Sequence, residues 1–269
     1  MSLSISGKTA IVTGAAHGIG LAIARHFVDR GANVMFADID EAKLEAEVGA
    51  EARTEDRIRY FSGDVCQKLT ASNLLSATVD AFDRIDILVN AARSVARCDP
   101  LVTDEEVISD MLRQNMMSSL RLSQMTARRM IAQAEKEGRQ GQQIGAIVNV
   151  SSLAGRLAQP ELLAYSIACA ALDQATRSLA VALAPHGIRV NGVAMGSLMS
   201  ASMSAALRDR PDWREAITGA TPLGRIAAAV ELAEAVQFLA SDGAGFVTGQ
   251  ILSVDGGRSI IDPVAAPIY

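Results

Sequence analysis

The stretch "TGAAHGIG", Thr13–Gly20, follows the β-branched run "KTAIVTG" and leads straight into the helical pattern Ile19–Arg30. Its glycines, Gly14, Gly18 and Gly20, permit a tight turn and a close approach of backbone to a ligand. A helix starting there presents unpaired N–H groups, at His17, Gly18 and Ile19 among others, to an anion such as a pyrophosphate. The spacing is wider than G-x-G-x-x-G, so the context carries the reading: strand before, helix after, and Asp38 closing the second strand. A carboxylate at that place accepts hydrogen bonds from both hydroxyls of an adenosine ribose and repels a 2′-phosphate, which predicts NAD(H) over NADP(H). The simpler alternatives are a structural glycine turn and an Asp38 that merely caps the helix starting near Asp40.

Outward from this turn, short apolar runs alternate with longer helical patterns. "ANVMFADI", "IRYFSGDV", "IDILVNAA", "GAIVNVSS", "IRVNGVAM" and "GQILSVDGG" read as further strands, with helices over Asp40–Ala50, Ala71–Phe82, Glu105–Glu137 and Leu162–Ala184. Such alternation implies right-handed βαβ units and a parallel sheet covered on both faces. The fold class expected is α/β, a doubly wound parallel sheet of about seven strands, in one domain over residues 1–269. The polar segment Ala134–Gly145 reads as a solvated helix end and loop.

Composition narrows the function. Hydrophobic residues make up 49% of 269 residues and aromatics only 4%, so the core rests on aliphatic side chains and methionine. A net charge of −5 argues against a nucleic-acid surface. "MSLSISGKTAIVTG" lacks the pattern of a signal peptide, and no run of sequence looks long and apolar enough to cross a membrane, so a cytoplasmic protein is expected. Cys66, Cys98 and Cys169 have no metal-like spacing and read as reduced thiols, with no metal site.

At this point the chain resembles the classical short-chain dehydrogenases/reductases along nearly its whole length. The resemblance is carried by "TGAAHGIG", "GDV" at Gly63–Val65, "LVNAA" at Leu88–Ala92 and "NVSS" at Asn149–Ser152. Tyr165, "IRVNGVAMG" and the closing "TGQILSVDGG" extend it. It implies an NAD-dependent oxidoreductase acting on a small-molecule alcohol or carbonyl, working as a homodimer or homotetramer. Asp64 and Val65 would flank the adenine, Asn90 would lie where the fourth strand meets the cofactor, Gly196 and Ser200 would also hold the cofactor, Ser200 at its carboxamide, and a substrate lid would span about 196–224. Met195, Met199, Met203 and Trp213 suggest an apolar, adaptable lining for that lid.

The family also works with a serine, a tyrosine, a lysine and an asparagine. By resemblance these fall on Ser152, Tyr165, Cys169 and Asn115, and the cysteine is the departure. Tyr165 and Cys169 share one helix face, so a partner there would be well placed. A free tyrosine has a pKa near 10, leaving about one phenol in a thousand ionised at pH 7. A cation about 4 Å away, at an effective dielectric near 20, is worth about 4 kcal/mol, or about three pKa units. A thiol supplies none of this, and no lysine follows Lys136. Arg93, standing where the family has a glycine, and Arg156 are the candidate replacement cations. Cys169 itself reads as a packed small residue in preference to a nucleophile. Two functions stay open: an oxidoreductase with impaired proton transfer, and a nucleotide-binding homologue that turns over weakly or not at all, as a sensor or oligomer subunit.

Overall fold

The computed structural model describes residues 2–102 and 105–262. Seven parallel strands form one sheet: β1 (Thr9–Thr13), β2 (Asn33–Asp38), β3 (Ile58–Ser62), β4 (Ile87–Asn90), β5 (Gly145–Ser152), β6 (Ile188–Met195) and β9 (Ile251–Val254). Their spatial order is β3-β2-β1-β4-β5-β6-β9, the doubly wound, Rossmann-type arrangement. Strand β1 pairs with β2 on one side and β4 on the other. The chain therefore reverses its direction of winding at β1, and the crevice beyond its C-terminal end is where such sheets bind ligands.

Successive strand residues serve opposite faces. Val12, Phe36, Val89 and Val148 pack with Ile23 of α1 (Gly18–Asp29), Leu44 of α2 (Glu41–Ala52) and Leu232 of α9 (Ala229–Ala240). Ile11, Met35, Leu88 and Ile147 pack with Leu74 of α3 (Lys68–Phe82), Leu122 of α5 (Ser118–Lys136) and Leu179 of α6 (Leu163–Leu183). Burial on both sides is why these strands read as unbroken apolar runs.

Three expectations change. The helix predicted over Glu105–Glu137 is broken: α4 (Glu105–Leu112) and α5 are joined by one π-helical turn, Arg113–Met117. That wider turn carries Asn115, whose side-chain oxygen accepts from the Ser94 N–H (2.8 Å) while its amide donates to the Met111 carbonyl (3.0 Å). The second change concerns membrane-like segments. Pro160–His186, helical over 27 residues with an 18-residue window of mean hydropathy 1.2, is long and apolar enough to cross a bilayer by length and composition. Here it is a core helix, because Ala164, Ala168, Leu172, Leu179 and Ala180 are buried inside the protein. The third is Met195, expected in the lid lining but buried among the core residues of the sheet.

After β6 come β7 (Leu198–Met199), α7 (Ala201–Asp209), α8 (Asp212–Gly219) and β8 (Ala227–Ala228), with β7 and β8 paired in parallel. This excursion occupies the segment expected to form the lid. Trp213 of α8 lies between two guanidiniums, Arg97 at 5.6 Å and Arg210 at 5.0 Å from its ring centre.

Candidate active site

A cleft of about 560 Å³ opens at the C-terminal ends of β1, β2 and β4. Its floor is the turn after β1. Gly14 has φ +69°, and a Cβ there would lie 2.8 Å from Cα of Ala92, so only glycine lets β1 and the chain leaving β4 come this close. Thr13, a residue that the sequence reading missed, fixes that approach: its Oγ1 accepts from the N–H groups of Ala91 and Ala92, both at 3.1 Å. The only signal for it was its place as the last residue of the strand before the glycines.

All the residues expected to hold the cofactor line this cleft except Asn90 and Gly196. Asp38 is buried, and its Oδ2 accepts from the Ala16 N–H at 3.0 Å. It is not the helix cap: Asp40 caps α2 by accepting from the Lys43 N–H at 3.1 Å. Asp64 also shapes a turn, accepting from the Cys66 N–H at 2.9 Å. Burial resists its ionisation, but that N–H and the Gln67 amide outweigh burial and hold the carboxyl below its usual range. Asn90 points the other way, into the sheet and helix interior. Its amide donates to Asn149 Oδ1 (2.8 Å) and Ser123 Oγ (3.0 Å), while Asn149 in turn donates to Thr176 Oγ1 (2.8 Å). The cleft wall beside it is made by Ala91, Ala92 and Arg93. Gly196 serves packing, since a Cβ there would stand 2.9 Å from Cα of Asp255 on the far side of β6. Ser200 reaches the cleft while capping α7, its Oγ accepting from the Met203 N–H at 3.2 Å.

The catalytic candidates converge beside this cleft. Ser152 ends β5, and its Oγ accepts from the Ala154 N–H at 3.2 Å. Tyr165 lies in the first turn of α6, 5% exposed, among Met111, Ala164, Ala168 and Cys169. Arg93 reaches it from the loop after β4, with Nη1 3.4 Å from the phenol oxygen. Arg156 does not: its guanidinium donates to Ser253 Oγ (2.8 Å) and the Ile251 carbonyl (3.0 Å), and lies 3.9 Å from Asp173. Of the two replacement cations considered, only Arg93 faces the phenol.

Opposing influences act on that phenol. Burial pushes the Tyr165 pKa above its ordinary value and is the largest effect, Arg93 and the Ser152 hydroxyl pull it down, and the Cys169 thiol adds to the rise. Burial wins. Cys169 is buried as well, and its thiol is pushed up to about 11, chiefly by desolvation. It is therefore no nucleophile at neutral pH.

The family described as enoyl-(acyl carrier protein) reductase matches residues 14–259. An uncharacterized oxidoreductase of Thermotoga maritima is 36% identical over 262 residues, covering 96% of this chain and all of that one. A gluconate 5-dehydrogenase from Burkholderia cenocepacia, solved with NADP and tartrate, superposes with a TM-score of 0.87 at 28% identity, covering 97% of this chain and 98% of that one. A 7α-hydroxysteroid dehydrogenase solved with NADH and 7-oxo glycochenodeoxycholic acid gives 0.85 at 28% identity, over 95% and 96% of the two chains. The chain belongs to the short-chain dehydrogenase/reductase family. It is an oxidoreductase by this kinship, of a family whose members bind nicotinamide cofactors and act on alcohols and ketones. The cleft fits such a group by its own features: the crowded glycine turn, the N-terminus of α1 facing the opening, and the carboxylate of Asp38 at its rim.

The buried, protonated thiol gives one clear expectation. In native protein at pH 8, Cys169 stays unlabelled by iodoacetamide over hours and reacts only after unfolding, as peptide mass spectrometry reads directly; rapid native labelling would contradict the packing described.

Proposed function

We propose that the protein is an NAD(H)-preferring oxidoreductase interconverting an alcohol with a ketone or aldehyde. Arg93 supplies, from the loop after β4, the positive charge that the family draws from a lysine on the catalytic helix. The observation that carries this reading is the 3.4 Å contact between Arg93 Nη1 and the Tyr165 phenol. Nicotinamide bound in the cleft supplies a hydride to the carbonyl carbon, or accepts one from the carbinol carbon. Ser152 holds the substrate oxygen by a hydrogen bond. As the C=O electron pair collects on that oxygen during reduction, Tyr165 gives it the phenolic proton; in oxidation the phenolate takes the proton back. Asn115 belongs to the same machinery as a positioning residue, since it ties the Ser94 backbone, one residue from Arg93, to the π-helical turn.

The direction of the Tyr165 shift favours reduction. A raised pKa keeps the proton donor in place through neutral pH and leaves little phenolate to act as a base. The same raised pKa supports the second reading, a dinucleotide-binding homologue that does not turn over and serves as a sensor or oligomer subunit. Cytoplasmic placement and self-association belong to the proposal too. Met117 at the head of α5, with Ile167 and Val181 on α6, are large apolar side chains left exposed, which supports a homodimer or homotetramer through these helices.

Four measurements test these statements. Arg93→Gly is expected to lower kcat by roughly 10–100-fold, the scale of one charge-assisted contact, with recovery in Arg93→Gly/Cys169→Lys. Oxidation by the native protein should climb about tenfold per pH unit above neutrality while reduction stays flat. An Arg93→Gly enzyme as fast as the native one would leave the proposed cation without a role, and no turnover of any carbonyl would favour the second reading. For the cofactor, Asp38→Ala is expected to weaken NADH binding about tenfold and to strengthen NADPH binding, as fluorescence titration would read; a native protein that prefers NADPH would refute the assignment. Light scattering that returned the single-chain mass of 28.3 kDa would remove self-association.

A further inference from the structure

The guanidinium of Arg93 is not used up by Tyr165. It carries five N–H donors in a planar fork, and its one contact to the phenol is long, at 3.4 Å. The residue is exposed and lines the cleft. The neighbouring arginines are already neutralised: Arg113 by Asp110 at 2.8 Å, Arg97 by Glu161 at 3.7 Å, Arg156 by Asp173 at 3.9 Å and Arg210 by Asp212 at 3.0 Å. Among the described residues, Arg93 has no carboxylate of its own. The acidic groups lining the cleft, Asp38 and Asp64, are engaged with backbone N–H groups. Among the described residues, Arg93 thus lines the cleft as a cation without a carboxylate partner, in contact with the Tyr165 phenol.

We infer that Arg93 binds a carboxylate on the substrate, carried one or two carbons from the reacting carbon, so that the enzyme reduces 2-oxo or 3-oxo acids to hydroxy acids. This rests on the reading that Tyr165 is the proton donor with Arg93 beside it. Tyr165 addresses the carbonyl oxygen, and a carboxylate on the adjacent or next carbon falls within reach of the free edge of the same guanidinium. The pairing is bidentate and charge-assisted, the geometry for which arginine is better suited than lysine. Loss of the helix lysine and gain of an arginine on the β4 loop then become one change: the cation moves from beneath the tyrosine to a place where it touches tyrosine and substrate together. Reduction balances without another reactant. The hydride enters at the carbonyl carbon, the C=O pair goes to oxygen, the Tyr165 proton follows, and the carboxylate stays paired with Arg93. With its charge partly cancelled by that carboxylate, Arg93 lowers the phenol pKa less, so the bound acid itself reinforces the donor form of Tyr165.

The test compares each acid with its methyl ester, using 2-oxobutyrate and acetoacetate with NADH, in the native protein and in Arg93→Gln and Arg93→Lys. One of the two acids is expected to exceed its ester by about 30-fold in kcat/KM, mostly through KM, the scale of a charge-assisted bidentate pair. That ratio should fall to within about threefold in Arg93→Gln and recover in part in Arg93→Lys. Because the readout is a ratio within each protein, it does not depend on how much activity a variant keeps. A variant too slow to assay is read by binding of oxamate, against methyl oxamate, to its NADH complex; the native complex should prefer oxamate and Arg93→Gln should not. Equal use of acid and ester by the native protein, or a preference that survives Arg93→Gln, would overturn the inference. So would an Arg93→Gln protein that loses NADH affinity tenfold with its acid-to-ester ratio intact, since Arg93 would then belong to the cofactor pyrophosphate. Failure of the underlying reading has a different signature: Arg93→Gln reduces the esters at the native rate, whatever happens to the acids.

Discussion

The two chains leaving β1 and β4 are pressed together where Gly14 admits no side chain and Thr13 Oγ1 grips the N–H groups of Ala91 and Ala92. This crossing sets everything downstream of it. It forms the floor of the cleft at the point where the winding of the sheet reverses, and it fixes the backbone immediately before Arg93. From that anchored start the arginine side chain spans to the first turn of α6 and meets Tyr165. A buried threonine hydroxyl shared by two amide donors therefore decides where the Arg93 charge can stand.

The charge at that position faces a harder task than a lysine four residues along the same helix. Tyr165 is nearly sealed from water, which disfavours the phenolate, while Arg93 is exposed and screened by solvent. The phenol consequently lies above its ordinary pKa despite a guanidinium at 3.4 Å. The Cys169 thiol holds its proton to about pH 11. Cys169 on α6 adds to the rise, and the groups that pull the phenol down are Arg93 on the loop and the Ser152 hydroxyl.

Much of this was legible in the residues, and what was not has physical reasons. Strand runs buried on both faces, the glycine turn and the acidic end of β2 are local patterns, so the sheet and the floor of the cleft could be read directly. The choice between Arg93 and Arg156 could not, because it turns on a contact distant in sequence: Asp173, one turn beyond Cys169, and the β9 edge capture Arg156. Asn90 misled in the same way, its strand-end position fitting a ligand role while its amide is consumed by Asn149 and Ser123. The π-helical turn at Asn115 was hidden because helical periodicity continues across an inserted residue with only a local widening.

Moving a cation from a helix to a loop changes more than its distance. A lysine within α6 would be held by the helix and would act on the tyrosine whatever the cleft contains. Arg93 is anchored through its backbone and by one long side-chain contact, to Tyr165; its head group sits at the cleft surface with donors to spare and no carboxylate partner among the described residues. Its influence on Tyr165 must then vary with what binds beside it, since any anion that engages the fork also draws off part of its field. In the proposed arrangement proton transfer is coupled to ligand charge, a dependence that a buried helix lysine would not impose. Under that proposal, a cysteine at position 169 leaves control with the occupant of the cleft instead of the scaffold.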